Sequence, residues 1–139
     1  MNRLIAFDVD STLLRVESLD MAVEHALKSH PDRDAAQARL HELTQAGMTG
    51  TLALRDSLLT RIGIAALSHD LVEDIAQSLR RQITPGFRPL LRSLRDSGDE
   101  LHAISGGFTD LLEPVLADLG FGPANIHANR FSFEGDRVI

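Results

Sequence analysis

Two aspartates separated by a single residue are the first feature of this sequence that could do chemistry. Asp8 and Asp10 directly follow the apolar run 4–7. In extended backbone, residues two positions apart point to the same side, so the two carboxylates would lie close together and repel each other. A hard cation such as Mg²⁺ would relieve that repulsion, because it prefers oxygen ligands. We therefore take Asp8 and Asp10 as candidate metal ligands, with two chance acids in a solvated loop as the alternative.

A second polar segment, Ser105-Gly106-Gly107, follows the apolar run 101–104. We expect it to form a turn between a strand and a helix. Glycines in such a turn let backbone N–H groups approach an anion, and the following helix adds the positive end of its dipole. The Ser105 hydroxyl is a further donor. Taken by itself, the segment could equally be a tight connection without a ligand.

The elements around these two segments are typical of an α/β protein. The runs 4–7 and 101–104 predict parallel strands, the first buried on both faces, and residues 125–133 predict a third strand that leads into a hairpin turn at 134–136. Between the first two strands, helical periodicity over residues 17–81 predicts four amphipathic helices.

Two more helices are predicted, one before the second strand and one between the second and third strands, so the connections should be right-handed βαβ crossovers. Ligands in such sheets bind beyond the carboxyl ends of the strands, where both polar segments fall. A cation site facing an anion cradle is what phosphoryl transfer requires.

Composition narrows the class of protein. The chain has 139 residues, of which 43% are hydrophobic and 24% charged, enough for one domain with a core. The absence of cysteine excludes disulfides, thiolate metal sites and a cysteine nucleophile. The net charge of -6 argues against nucleic acid or an anionic membrane as partner. No apolar run is long enough to span a bilayer, and we expect a cytoplasmic protein.

The two polar segments also carry a resemblance to a known family. Residues 7–13 (Phe-Asp-Val-Asp-Ser-Thr-Leu) and 104–108 (Ile-Ser-Gly-Gly-Phe) resemble the first two motifs of the haloacid dehalogenase-like phosphatases. Within that superfamily the chain resembles the phosphoserine phosphatase family. The further matching segments are Glu17, 50–61, 83–86 and 128–130.

The resemblance implies a partial Rossmann-like core with an inserted cap. The core would comprise residues 1–14 and 84–139, with the first three strands of a parallel sheet, and the four-helix cap would comprise residues 15–83. Family members continue to a lysine and an acidic motif that this sequence lacks, so the resemblance is to a form truncated before the third and fourth motifs. We expect metal affinity and turnover of this chain alone to be strongly reduced, and either a missing C-terminal segment or self-association to cover the exposed sheet edge.

The activity that the resemblance implies is Mg²⁺-dependent hydrolysis of phosphoserine to serine and phosphate, a reaction of serine biosynthesis. Asp8 would be the nucleophile that forms an aspartyl-phosphate, and Asp10 the general acid and base. Both would contribute to the metal site. Ser105 and the Gly106 amide would hold the phosphate oxygens.

Substrate choice, by the same resemblance, would come from the cap. Glu17 would bind the substrate ammonium, Arg61 its carboxylate and Met48 would cover it. Taken alone, Glu17 could instead complement a helix dipole, and Arg61 could be a surface residue near a helix end. Two other functions stay open: a phosphatase for another small phosphomonoester, and a non-catalytic remnant that binds a small anion or a partner.

Overall fold

The computed structural model describes residues 2–50 and 53–139. The order of elements is the predicted one: a strand, four helices, then helices alternating with strands, and a hairpin. The bounds are β1 Leu4–Asp8, α1 Ser18–Leu27, α2 Arg33–Met48, α3 Leu54–Ala65, α4 His69–Ser78, α5 Phe87–Asp96, β2 Glu100–Phe108, α6 Thr109–Asp118, β3 Ile126–Asn129, β4 Phe133–Glu134 and β5 Arg137–Val138.

The first three strands form one parallel sheet in the order β1-β2-β3. β1 pairs with the first half of β2, from Leu4 opposite Glu100 to Asp8 opposite Ile104. The pairing of β2 with β3 shifts register between Ile104 and Phe108. The α/β class and the three-stranded parallel sheet predicted from the sequence are confirmed. Because neighbouring strands are parallel, the carboxyl ends of β1 and β2 lie at the same edge.

One face of this sheet is buried and the other is open. The buried face includes Leu101 and Ala103, and α6 contributes a row of fully buried side chains. On the open face, Leu4 is 65% exposed and Ile104 is 51% exposed. The prediction that the first strand is buried on both faces was therefore wrong, since no residue of β1 falls in the buried class. The buried α6 side chains are Leu111, Leu112, Val115 and Leu116.

Two other expectations about local structure were wrong. Residues 105–107 do not form a turn but continue β2 as far as Phe108, and α6 follows at once from Thr109. The third strand is also shorter than predicted. After β3 the chain leaves the sheet, where the backbone N–H of Phe131 donates to the Asp110 carboxylate over 2.8 Å. The hairpin turn after it, between β4 and β5, is where the sequence predicts it.

The chain divides into two units. The first comprises residues 1–19 and 72–131, which hold the parallel sheet, and the second comprises residues 20–71 and 132–139. In the second unit the β4–β5 hairpin is tied to the segment before α4 by two backbone hydrogen bonds, His69 N–H to Asp136 (2.8 Å) and Val138 N–H to Leu67 (3.0 Å). The core and cap boundaries predicted from the sequence stay a prediction. Within the described residues, no helix is both long enough and apolar enough to cross a bilayer.

Candidate active site

A wide loop carries the chain from β1 to α1 and determines where the two aspartates point. The Leu14 N–H closes the loop on the Val9 carbonyl over 3.0 Å, and within it Asp10 is extended while Ser11 is left-handed, with φ of 59°. An isolated antiparallel bridge joins Leu14 to Ile83. This bridge ties the end of the loop to the segment just before α5.

The Asp10 carboxylate turns toward the start of α1. Its Oδ1 accepts the backbone N–H of Ser18, the first residue of α1, over 2.9 Å. A Cβ placed on Gly107 would lie 3.1 Å from Asp10 Oδ2, 3.1 Å from Ser105 Oγ and 3.2 Å from Ser18 Oγ. Three polar side chains thus converge on one glycine of β2. The structure therefore brings the two polar segments of the sequence together.

The other two acids of the loop are each held by a hydroxyl. Asp8, exposed at the end of β1, accepts a hydrogen bond from Thr12 Oγ1 over 3.1 Å. The Ser11 hydroxyl donates to Glu17 Oε1 over 2.7 Å. The polar residues between Asp8 and Glu17 therefore orient the carboxylates on either side of them.

The cluster of Asp8, Asp10 and Glu17 carries an excess of negative charge. Burial raises the pKa of Asp10; the backbone hydrogen bond from Ser18 opposes that rise, and the charges of Glu17 and Asp8 add to it. Within residues 2–50 and 53–139, none of these three carboxylates forms a salt bridge. Oxygen donors with excess negative charge are what a hard divalent cation binds. Asp8 and Asp10 therefore fit the predicted Mg²⁺ site in the chemistry of their donors.

The segment predicted to bind phosphate, residues 105–107, has a different local structure from the predicted one. Ser105 Oγ accepts the N–H of Gly107 over 2.9 Å, and Asn129 Nδ2 donates to the Gly106 carbonyl over 3.0 Å. Because β2 runs on to Phe108, Ser105 and Gly106 lie in a strand and precede α6 by several residues. The expected contribution of a helix N-terminus at these two residues is therefore not found.

Of the three cap residues predicted to bind the substrate, Glu17 lies in the first unit, and Arg61 and Met48 lie in the second. Arg61 of α3 forms an ion pair with Asp20 of α1. Met48 ends α2, and its side chain is 77% exposed. The roles predicted for Arg61 and Met48 in substrate binding stay predictions.

Several residues of the site were not singled out from the sequence. Ser18 has the most unusual environment, because its hydroxyl is fully buried and lacks a hydrogen-bond partner among the described residues. Ser11 and Thr12 orient the acids on either side of them. A serine just before a helical stripe was a usable signal for Ser18, since serine favours helix starts. The loop hydroxyls gave no such signal, because their partners depend on how the loop folds.

A separate group of potential metal ligands lies on the first turn of α4. Ligand atoms of His69, Asp70 and Glu73 lie within 4.8 Å of one another, and all three residues are exposed. None of them is a predicted site residue. Exposed acids of this kind are common without a metal, so we assign them no function.

Comparison with known proteins agrees with the geometry. The family description "haloacid dehalogenase-like hydrolase" matches residues 5–138. The chain belongs to this family. As a haloacid dehalogenase-like hydrolase, it is 32% identical over 129 residues to the phosphoserine phosphatase of Rattus norvegicus, covering 93% of this chain and 54% of that protein. It is 36% identical over 118 residues to phosphoserine phosphatase SerB2 of Mycobacterium tuberculosis, covering 84% and 26%.

The solved structures agree with these relatives. A phosphoserine phosphohydrolase-like protein from Francisella tularensis superposes with a TM-score of 0.75 at 29% identity, covering 96% of this chain and 61% of that one. The chain thus spans about half the length of the rat enzyme that it matches.

Proposed function

We propose that this haloacid dehalogenase-like chain carries the catalytic aspartates of a Mg²⁺-dependent phosphoserine phosphatase. The observation that carries the proposal is the convergence of Asp10, Ser105 and Ser18 on Gly107, next to the exposed Asp8. It supports an oxygen-rich cation site beside a hydroxyl and backbone that could receive a phosphate. The similarity to phosphoserine phosphatases over more than nine-tenths of the chain supports the choice of reaction.

The two aspartates have environments suited to different tasks. Asp8 is exposed at the strand end, and its contact with Thr12 orients the carboxylate for attack on phosphorus, forming an aspartyl-phosphate. Asp10 is half-buried, and its raised pKa favours the protonated form that gives a proton to the leaving serine oxygen. The same group, once ionised, takes a proton from the water that attacks the intermediate.

Mg²⁺ held by the Asp8 carboxylate and the Asp10 backbone carbonyl would offset the repulsion between the carboxylates and the phosphate dianion. The Ser105 hydroxyl and the Gly106 N–H hold the phosphate oxygens in this proposal. Ser105 Oγ already accepts the Gly107 N–H, which leaves its own proton to donate to a phosphate oxygen.

Recognition of the amino acid is assigned to three further residues. Glu17, oriented by Ser11, binds the substrate ammonium. Arg61 binds the substrate carboxylate with a planar fork suited to it, and Met48 covers the substrate. The product, serine, assigns the reaction to serine biosynthesis.

The test is phosphate release from phosphoserine with and without Mg²⁺. It compares this chain with a longer product of the same reading frame, where one exists, because the expected activity of the chain alone is low. Release that requires Mg²⁺ and Asp8 supports the proposal. The absence of release by either protein, with Asp8 intact, would refute catalysis and favour a binding function.

A second arm tests the substrate. We expect Arg61→Ala to raise KM for phosphoserine by about tenfold or more, and to change hydrolysis of a phosphomonoester without a carboxylate little. An unchanged KM for phosphoserine would remove Arg61 from the substrate site and point to another small phosphomonoester.

A further inference from the structure

A basic cleft of about 240 Å³ lies between α5 and the end of α6 in the first unit. It contains none of the residues proposed for catalysis or substrate binding. Its lining is Arg88, Arg92, Arg95, Asp96, Asp118, Leu119 and Gly120. Three arginines at one surface are unexpected in a chain whose net charge is -6.

The positive charge of the cleft is only partly neutralised. Asp118 is occupied by Arg80, whose Nε and Nη2 contact its two carboxylate oxygens. The side chain of Arg92 forms no hydrogen bond or ion pair with the rest of the described chain, and neither does the side chain of Asp96. With Asp118 neutralised by Arg80, three guanidinium groups face one free carboxylate. The cleft therefore carries an excess of about two positive charges.

Arg95 is held in place with one donor unsatisfied. Its Cζ lies 5.2 Å from the centroid of the Phe121 ring. Gly120 is also close to it, because a Cβ there would come within 2.7 Å of Arg95 Nη1. The Nη2 atom is buried and lacks a hydrogen-bond partner in the described chain. A buried donor of this kind is costly unless a ligand accepts its hydrogen bond.

Arg88 contacts the end of α6. Its Nη1 reaches the Asp118 backbone carbonyl at 3.4 Å, a long contact with the last turn of α6. Capping of the α6 carbonyls accounts for part of the positive charge. It accounts for neither the unpaired Arg92 nor the buried Nη2 of Arg95.

We propose that this cleft binds a phosphate dianion, free or as a small ester, through Arg88, Arg92 and Arg95. Two negative charges match the charge excess, and guanidinium groups bind phosphate oxygens with two parallel hydrogen bonds. The site is separate from the proposed active site, so it would act as a second anion site on the same chain.

The test is a titration of the ¹⁵N-labelled chain with inorganic phosphate, in EDTA and at constant ionic strength. We expect saturable shifts in α5 and at residues 118–120, and about tenfold weaker binding in Arg92→Gln. Arg39→Gln, an exposed arginine of α2, is the matched control and should bind within twofold of the unchanged chain. Arg92 is exposed and unpaired, and Arg39 forms only an exposed ion pair with Glu42, so both variants should keep the melting temperature.

The outcomes separate this proposal from the phosphatase. Shifts confined to residues 105–107 would leave the active site standing and refute the cleft. Equal competition by chloride, or unchanged binding in Arg92→Gln, would refute it too. A parallel titration with phosphoserine identifies the source: tighter binding than phosphate indicates an ester, and weaker binding indicates the free anion.

Discussion

Two buried or half-buried aspartates lie at opposite ends of the β1–β2 pair, and their surroundings differ sharply. Asp99, just before β2, accepts the backbone N–H of Arg3 (3.1 Å) and its Nε (3.2 Å) and Nη2 (2.8 Å). These hydrogen bonds hold the pKa of Asp99 below its usual range. Asp10, after β1, accepts the Ser18 N–H but has no cationic partner among the described residues, and burial raises its pKa.

The difference separates a stabilising carboxylate from one that we propose to be reactive. At the amino end, Arg3 and Asp99 lie 96 residues apart in sequence and join the starts of two neighbouring strands. At the carboxyl end, Asp8, Asp10 and Glu17 are left with uncompensated charge. Functional sites commonly retain such unfavourable electrostatics, because a ligand relieves them. One end of the strand pair contributes stability, and the other is available for a cation.

The largest effect that this comparison predicts is on activity. In the protein that releases phosphate from phosphoserine, Asp8→Asn should lower kcat by at least roughly 10³-fold, because it removes the proposed nucleophile. Thermal unfolding should change little, since Asp8 is exposed. Asp34→Asn, an exposed acid of α2, is the control. Retained turnover in Asp8→Asn would show that the carboxyl end of the strand pair does not supply the nucleophile.

Gly107→Ala tests the convergence at the carboxyl end. The added methyl group would lie 3.1 Å from both Asp10 Oδ2 and Ser105 Oγ, so these groups must move. We expect a loss of about 1–3 kcal/mol in the free energy of unfolding, with lower activity. Gly122→Ala is the matched control, because a Cβ there meets nothing within 4 Å. Equal unfolding midpoints for the two variants would contradict the close contacts inferred around Gly107.

Asp99→Asn tests the stabilising end. The variant loses the charge that Arg3 binds, so its melting temperature at pH 7 should fall below that of the unchanged chain. Because folding lowers the pKa of Asp99, its contribution is present above the unfolded pKa of about 4 and is lost as pH falls through the folded pKa. Melting curves of both proteins from pH 7 downwards should therefore converge in acid. A difference in melting temperature that persists or widens in acid would rule out the Arg3–Asp99 ion pair as its cause.

The smallest effect on stability is expected for Asp10→Asn. Its amide oxygen can still accept the Ser18 N–H, while the half-buried charge next to Asp8 and Glu17 disappears. We expect the melting temperature at pH 7 to stay the same or rise slightly, although activity is lost. Chemical denaturation of the two aspartate variants side by side provides the check. A loss of stability as large as that of Asp99→Asn would mean that the two ends are equivalent.

Much of the fold could be predicted from local patterns. The apolar runs before Asp8 and Ser105 marked two strands, and helical periodicity marked the helices between them. The parallel order of the strands followed from the alternation of elements. The continuation of β2 through Ser105-Gly106-Gly107 could not be predicted in this way, because glycines occur both in turns and in irregular strands.

The candidate site was predictable in part for the same reason. The spacing of Asp8 and Asp10 depends only on neighbouring residues, so it was visible in the sequence. The Ser18 contact to Asp10 depends on a loop with a left-handed Ser11, and the bond of Arg3 to Asp99 depends on how two strands align. Local patterns contain no information about either.

The amino-acid sequence by itself determined which residues have the chemistry to bind a cation or a phosphate, and where most strands and helices lie, because both follow from residue type and short-range periodicity. Only the tertiary structure decided that Asp10, Ser18 and Ser105 meet at Gly107, and that Arg3 rather than another cation neutralises Asp99. The physical reason is that a carboxylate's pKa and partners depend on groups brought close by folding, most of them distant along the chain.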